Sequence, residues 1–532
     1  MDRREFVLGS AVAGVAAGRA PLPTTRVSAP QSPPASELEE ATLEQLQAGM
    51  TSGRWTSRSI TEQYLARIEA VDRTGPRLNS VIEVNPDALQ IAGELDAERK
   101  AKGPRGPLHG IPVLVKDNLD SGDRMQTTAG SLALVGTPAP RDSTVVAKLR
   151  EAGAVLLGKT NLSEWANYRS TTSTSGWSGR GGLTRNPYVL DHNACGSSSG
   201  SGAAASANLA AVTIGTETDG SVVCPSSICG LVGIKPTVGL VSRAGIIPIS
   251  ATQDSAGPMC RSVADAAAVL WAIQGFDPRD PATTPLKARR LENWSTGLRP
   301  DALRGARLGV ARKGFGLPPS VDGVLGEALT ALKQLGAVVV DPAEIPNLGK
   351  LDHPETVVLD YEFKAGLAAY FATRGSGFPI RDLADLIAYN AAHRDRELPW
   401  FGQEIFERSA KRGPLTAPEY RRALADCGRL ARGLGLDALL ARHRLDAVVA
   451  ITAGPSWPSD LVNGDRYTGG CSTPAAVAGY PHVTVPAGMV HGLPIGLSFF
   501  GQAWSEARLL GFAYAFERET RLRRAPQFLP AL

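Results

Sequence analysis

Short apolar segments of strand length recur along this chain and alternate with longer stretches of helical periodicity. Each segment is too short for a buried helix, whereas strands commonly have this length. The alternation predicts an α/β fold, in which helices flank a large β-sheet that is largely parallel or mixed. The predicted strands are residues 111–115, 155–157, 212–214, 308–310, 338–340, 447–451 and 495–499.

The chain is predicted to fold as a single domain over residues 36–532. Ser36 and Glu39 match a capping box, so folded structure is expected to begin there. A helix follows whose apolar side chains fall on one face, namely Ile60, Tyr64, Leu65, Ile68 and Val71. Between about residues 351 and 444 the strand pattern is absent, which predicts a helical insertion. That insertion either covers the active site or packs against the edge of the sheet.

The first 35 residues resemble an export signal followed by a linker. Arg3 and Arg4 precede Phe6 and a short apolar run over residues 7–17, as in a twin-arginine signal. The alternative is a buried N-terminal helix, since the run is shorter than the ~20 residues of a membrane span. A Pro- and Ser-rich linker spans residues 21–35. Export to the periplasm or beyond is the expectation.

Charge and cysteine content exclude several classes of partner. The formal net charge is +4, and basic residues are spread along the chain, so neither nucleic-acid binding nor stable membrane association is expected. The partner should be a small molecule or a neutral peptide. The six cysteines lack the paired spacing of a zinc site, so no metal is predicted. Most of the cysteines are expected to be buried thiols.

Three residues in loops of small residues suggest serine chemistry without histidine: Lys116, Ser197 and Ser221. A serine hydroxyl attacks a carbonyl poorly until a base removes its proton. A lysine can be that base if its pKa falls from about 10.4 toward neutrality. The cluster predicts acyl transfer, with amide hydrolysis as the favoured reaction. The alternative is that Lys116 is a buried lysine paired with Asp117.

Two other segments match the sequence patterns of well-known functional sites, but the predicted secondary structure around them does not fit those sites. Residues 153–160 fit a P-loop pattern, but their middle residues are themselves a predicted strand, and residues 143–152 before them suggest a helix. Residues 196–200 fit G-x-S-x-G, which would make Ser198 the nucleophile, yet the polar residues 191–195 cannot form the buried strand that this motif requires. None of the seven histidines forms a metal-type pair, and His109 and His482 are interpreted as structural.

The longer motifs resemble the amidase signature family over nearly all of the chain after the signal. They are residues 108–118, 158–161, 196–230, 233–237, 478–481 and 492–496. Within that family, four segments resemble in particular the bacterial peptide amidases, which remove the C-terminal amide of peptides. These segments are residues 215–221, 239–243, 461–466 and 504–508.

The resemblance implies a Ser-cisSer-Lys triad. Ser221 would be the acylated nucleophile, Ser197, held by a cis peptide bond, would relay its proton, and Lys116 would be the base. Backbone N–H groups of Thr218, Asp219, Gly220 and Ser221 would stabilise the tetrahedral oxyanion. No cofactor is implied.

The sequence departs from the commoner family pattern at Asp219, where glycine is frequent, and at Val223, where arginine is frequent. A carboxylate at position 219 could bind a peptide N–H or order the loop, and it would repel an anionic substrate. Trp400, Trp457 and Tyr467 are candidate pocket walls. The alternatives to peptide amide hydrolysis are a broader aryl or aliphatic amidase, a non-catalytic peptide-binding protein and one chain of an amidotransferase.

Overall fold

The computed structural model describes residues 36–289, 293–294, 297–375 and 377–532, so the predicted signal and linker lie outside the described residues. The strands are β1 (Val81–Val84), β2 (Pro112–Lys116), β3 (Val155–Thr160), β4 (Trp177–Ser178), β5 (Gly182–Leu183), β6 (Val212–Glu217), β7 (Val232–Lys235), β8 (Ser255–Cys260), β9 (Arg307–Val310), β10 (Val338–Val340), β11 (Ala447–Ile451), β12 (His482–Val490) and β13 (Leu493–Phe500).

Eleven of these strands form one mixed sheet in the order β1-β3-β2-β6-β8-β7-β12-β13-β11-β9-β10, and β4 pairs with β5 in a separate ribbon. The pairs β2–β3, β2–β6, β9–β10 and β9–β11 are parallel, and the other pairs in the sheet are antiparallel. The predicted α/β fold with a large mixed sheet is therefore confirmed.

Helices flank this sheet. They are α1 (Leu43–Ser52), α2 (Ser57–Arg67), α3 (Ala88–Lys102), α4 (Thr144–Glu151), α5 (Ser199–Ser206), α6 (Val223–Ile228), α7 (Val263–Ile273), α8 (Asp322–Gln334), α9 (Asp352–Ala372), α10 (Leu383–Ala392), α11 (Arg394–Glu397), α12 (Glu404–Ala410), α13 (Pro418–Gly428), α14 (Asp437–His443), α15 (Thr473–Ala478) and α16 (Glu506–Thr520). No helix among the residues described here is long and apolar enough to cross a lipid bilayer.

The start of the fold differs from the predicted capping box. Ser36 and Glu39 belong to a turn, in which the N–H of Glu39 donates to the carbonyl of Ser36. The first helix begins later, where Thr42 and Gln45 form the reciprocal capping bonds. Both pairs fit the same sequence pattern. Only the second pair is followed directly by a helix whose apolar face is buried, including Leu43 and Leu46.

The helical insertion is present as predicted. Between residues 351 and 444 the described residues form helices α9 to α14 and a π-helical turn, with no strand. The long helix α9 buries Phe363 and Leu367 against Trp165 and Ile249 of the main domain. It also places Leu359 in the wall of a cavity, so both predicted roles of the insertion have structural support.

Three neighbouring parallel strands end at the same edge of the sheet. The last residues of β2, β3 and β6 are Lys116, Thr160 and Glu217, and pairing aligns Lys116 with Thr160. Loops that follow the carboxyl ends of parallel strands converge, and ligands commonly bind there. The segments that contain Lys116 and Ser221 are brought together at this edge because each lies at or just beyond the end of such a strand.

Candidate active site

Lys116 is completely buried, and its amine is held by three oxygen atoms. The Nζ atom lies 2.7 Å from Ser197 Oγ, 2.9 Å from Thr216 Oγ1 and 3.2 Å from the carbonyl oxygen of Thr216. Asn118 donates from Nδ2 to the same Thr216 hydroxyl at 2.9 Å. The amine is therefore fixed in one orientation.

Burial lowers the pKa of Lys116 to about 7, although the negative charges of Asp254 and Glu217 act in the opposite direction. The neighbouring Asp117 does not pair with this lysine. Its carboxylate accepts hydrogen bonds from the Thr128 hydroxyl and from Arg180. The alternative of a structural Lys116–Asp117 ion pair is therefore wrong, since the lysine amine contacts Ser197 and Thr216 instead.

Ser197 lies between the lysine and the loop that contains Ser221. The Gly196–Ser197 peptide bond is cis, and the Ser197 side chain is fully buried. The carbonyl of Ser197 accepts a hydrogen bond from the N–H of Ser163 at 3.0 Å, and the next N–H, that of Ser198, donates to the carbonyl of Ser221 at 3.2 Å. These backbone bonds place the two serine segments side by side.

The loop 218–221 has an unusual pattern of hydrogen bonding. Its four N–H groups donate to no protein acceptor among the described residues, whereas the next two, of Val222 and Val223, donate to Glu217 Oε2 at 2.8 and 3.0 Å. Gly220 has a φ angle of +77°, in the left-handed region that favours glycine. Ser221 lines the cavity, and its hydroxyl forms no hydrogen bond with the other described residues.

Side chains and carbonyl groups of the same loop are firmly held. The Thr218 hydroxyl donates to Asp254 Oδ1 at 2.6 Å, and the Thr218 carbonyl accepts a bond from Gln253 at 3.3 Å. Asp219 accepts a bond from the Thr473 hydroxyl at 2.7 Å. This contact supports the second of the two roles suggested for Asp219, ordering of the loop, and no peptide N–H bonds its carboxylate among the described residues. These contacts use the side chains and carbonyl groups of the loop, so its N–H groups remain available to an acceptor in the cavity.

A cavity of about 360 Å³ lies over this loop. Its walls include Trp457 and Tyr467, as predicted, whereas Trp400 is exposed on the insertion and does not line it. Two acidic residues, Asp219 and Asp465, line the cavity, and no Lys, Arg or His side chain among the described residues does so.

Two cysteines form a disulfide beside the cavity, a pair that the sequence did not indicate. Cys195 and Cys224 are bonded, and they belong to the segments that contain Ser197 and Ser221. The other cysteines, at positions 229, 260, 427 and 471, are buried thiols as expected. The pairing was missed because spacing along the chain does not reveal which cysteines meet in space.

The competing motifs have structural roles. Residues 155–160 form β3, directly after helix α4, so the P-loop pattern is not a phosphate loop. Ser198 is fully buried, and its hydroxyl donates to the Thr216 carbonyl at 3.0 Å.

His109 bonds the Leu95 carbonyl at 2.9 Å, and burial lowers the pKa of His482 to about 3. No group of three potential metal ligands is found in the described part of the chain.

Sequence reasoning missed several polar residues that support the site, above all Thr216, Gln253 and Asp254. Thr216 lies in the conspicuous segment 215–221, which could have served as a signal. Gln253 and Asp254 precede β8, a strand with no run of apolar residues, so nothing in the local pattern marked them. Their importance follows only from their contacts with the loop 218–221.

Several known proteins resemble this chain in sequence and in fold. The amidase family model matches residues 59–510. A probable amidase of Arabidopsis thaliana is 42% identical over 92% of each chain. The structure of the native peptide amidase from Stenotrophomonas maltophilia superposes with a TM-score of 0.88 at 53% identity, covering 92% of this chain and 99% of that one. One chain of the glutamyl-tRNA(Gln) amidotransferase from Acinetobacter baumannii is 34% identical over 91% of this chain and 97% of its own.

The fold and the matched sequence together define an enzyme that hydrolyses amides. The chain belongs to the amidase family, as the resemblance predicted.

Proposed function

We propose that this enzyme hydrolyses the C-terminal amide of peptides, with Ser221 as nucleophile, Ser197 as proton relay and Lys116 as base. The observation that carries the proposal is the 2.7 Å contact between Lys116 Nζ and Ser197 Oγ, made by a buried lysine whose pKa is about 7. Near neutral pH much of this lysine is uncharged. Its lone pair can then accept the Ser197 proton while its two hydrogens face the oxygens of Thr216.

The acylation step follows from these positions. Ser221 Oγ forms a bond to the carboxamide carbon, while its proton passes to Ser197 and the Ser197 proton passes to Lys116. This transfer requires the Ser221 hydroxyl to turn toward Ser197. The tetrahedral intermediate then breaks its C–N bond, and the proton returns through Ser197 to the departing ammonia.

Deacylation uses the same groups in a second cycle. Water attacks the acyl-enzyme and gives up a proton along the same relay, and Ser221 regains its proton as the carboxylate product leaves. In both cycles negative charge develops on the former carbonyl oxygen. The free N–H groups of residues 218–221 are the proposed donors to that oxygen, and removal of one such donor typically costs about 3–4 kcal/mol of transition-state stabilisation.

Support for a peptide amide comes from similarity and from the cavity. The S. maltophilia enzyme with 53% identity is a peptide amidase, and its fold covers nearly this whole chain. The cavity presents apolar and aromatic walls, from Leu359, Trp457 and Tyr467, beside the Ser221 loop. Its acidic residues disfavour a free carboxylate, which distinguishes a peptide amide from the corresponding acid.

A broader aryl or aliphatic amidase is the second candidate, and it is compatible with the relative from A. thaliana, which is described only as a probable amidase. An amidotransferase has the support of the 34% identical relative, but that activity would need partner chains. A non-catalytic binding protein fits poorly with a buried lysine of lowered pKa in contact with Ser197.

The test is ammonia release from a peptide amide, the matching free-acid peptide and an aryl amide. The expected result is release from the peptide amide alone, with loss of activity in Ser221→Ala. Ser198→Ala is the matched control, because Ser198 lies in the same segment but bonds Thr216. Preference for the aryl amide would favour the broader amidase. Activity that persists in Ser221→Ala, or a Ser221 that no fluorophosphonate labels, would refute the proposed nucleophile.

We also propose that the protein is exported through the twin-arginine route, on the basis of Arg3, Arg4 and the apolar run that follows. Replacement of both arginines by lysine should retain the protein in the cytoplasm of a host that exports the native chain. Equal distribution of the two proteins after cell fractionation would refute this proposal.

A further inference from the structure

The side chain of Gln253 connects the oxyanion loop with the helical insertion. Its Nε2 atom donates to the Thr218 carbonyl at 3.3 Å and to Glu355 Oε1 at 2.8 Å. A primary amide has two hydrogens, so both bonds can form at once. Gln253 and Glu355 are 2% and 8% exposed, which means that water competes little for these groups.

The direction of the Thr218 carbonyl determines the direction of the next N–H group. In a planar trans peptide the C=O of Thr218 and the N–H of Asp219 point in opposite directions. A carbonyl held toward Gln253 therefore directs the Asp219 N–H away from Gln253. That N–H is one of the proposed oxyanion donors, and it has no acceptor among the described residues.

Glu355 supplies the second anchor of the glutamine amide. It lies in the first turn of α9, far along the chain from Ser221, and it is the acceptor that fixes the second hydrogen of the Gln253 amide. Without it, the Gln253 side chain would lose one of its two partners and could leave the Thr218 carbonyl. The insertion would then pack against the domain but no longer orient the loop.

We propose that Glu355 is a positioning residue for the reaction, acting through Gln253 to orient the oxyanion loop at Thr218. This inference rests on the proposed function of the loop 218–221. The helical insertion would then help to orient the oxyanion donors, in addition to covering the cavity or packing against the sheet. Glu355 itself touches neither the nucleophile nor the base in the described contacts.

The test compares Glu355→Leu, which removes the acceptor, with Glu355→Gln, which keeps an amide oxygen for Gln253. Two rates are measured: turnover of a peptide amide and fluorophosphonate labelling of Ser221. Glu355→Leu should lower kcat and the labelling rate at least about tenfold while KM changes less than about twofold, because the lost interaction belongs to the transition state. Glu355→Gln should stay within about threefold of the native enzyme.

His353→Ala is the matched control, since His353 lies in the same turn of α9 but is exposed, and its side chain forms no hydrogen bond with the described residues of the loop. It should leave both rates unchanged. Adding Glu355→Leu to Gln253→Leu should cause no further loss, because the two residues act in series. Thermal unfolding of each variant shows whether a lower rate reflects a smaller folded fraction.

The inference would be overturned if Glu355→Leu kept the native kcat and labelling rate, or if Glu355→Gln lost as much of both rates as Glu355→Leu does. It would also be overturned if the rate losses of Gln253→Leu and Glu355→Leu multiplied in the double variant. If labelling follows the expected order while no peptide amide is hydrolysed, the inference stands and the proposed substrate is wrong. A native enzyme whose Ser221 takes no label would overturn both.

Discussion

The Nζ atom of Lys116 lies 2.7 Å from the Oγ atom of Ser197, and neither side chain has exposed surface. Water cannot replace either partner, so the charge on the lysine decides whether this contact can move a proton. Burial lowers the pKa of Lys116 to about 7 because the charged ammonium is poorly solvated there. The contact therefore links activity to pH in a defined direction.

The ratio kcat/KM should rise about tenfold per pH unit below pH 7 and level off above it, because the uncharged lysine is the active form. A pH–rate profile of the free enzyme measures this pKa. Glu217→Gln should move the rising limb to lower pH, since the negative charge of Glu217 raises the pKa of Lys116. Lys116→Arg should lose about 10²–10⁴-fold in rate at every pH. A rising limb that persists unchanged in Lys116→Arg would exclude Lys116 as the base.

Peptide amides with an acidic side chain next to the scissile amide should be poorer substrates than their neutral counterparts. The cavity is lined by Asp219 and Asp465, with no described basic side chain to offset them. The measurement is kcat/KM for a matched glutamate and glutamine pair, with an expected difference of about threefold to thirtyfold that shrinks at high salt. Asp219→Asn should narrow the difference. Asp395→Asn, at an exposed position outside the cavity, is the control, and an equal narrowing there would contradict the explanation.

Reduction of the Cys195–Cys224 disulfide should destabilise the enzyme and lower its activity together. The bond closes a loop with a sequence separation of 29, for which the chain-entropy model gives about 3–4 kcal/mol. It also joins the segments that contain Ser197 and Ser221. Urea unfolding and kcat are compared for the native protein and Cys195→Ser. Cys427→Ala, which removes a buried free thiol in α13, should leave the response of the protein to reductant unchanged.

A buried carboxyl group under the insertion should make stability depend on pH. Burial raises the pKa of Glu164 well above its usual range, and the charge of Glu397 adds to this, while Arg169 at 2.8 Å opposes it. A folded-state pKa above the unfolded value means that the folded protein holds the extra proton. Stability should therefore fall as pH rises from the ordinary carboxyl range through the raised pKa.

Glu164→Gln keeps the protonated form's hydrogen-bonding groups and cannot ionise. The free energy of unfolding should decrease between pH 5 and pH 9 in both proteins. The decrease should be at least about 1 kcal/mol smaller for Glu164→Gln than for the native enzyme. Urea unfolding at the two pH values measures this difference. Exposed Glu419→Gln is the control and should follow the native enzyme. Parallel behaviour of Glu164→Gln and the native protein would refute the assignment.

Much of the sheet could be predicted from apolar runs alone. All seven predicted strands are present, among them β11 at Ala447–Ile451. The missed strands include β7, β8 and β12, which contain glycine, proline or polar residues. These strands lie inside the sheet, where pairing on both sides satisfies their backbone and compensates for weak local preference.

The sequence by itself determined the α/β class and the helical insertion, because apolar pattern is a local property of the chain, and its motifs singled out Lys116, Ser197 and Ser221 as the proposed chemical groups. Only the tertiary structure decided that Asp117 pairs with Arg180, that Cys195 bonds Cys224 and that Gln253 joins Thr218 to Glu355. These contacts link residues far apart in sequence. Burial selects them, since a polar group removed from water is stable only beside a partner that the whole fold brings to it.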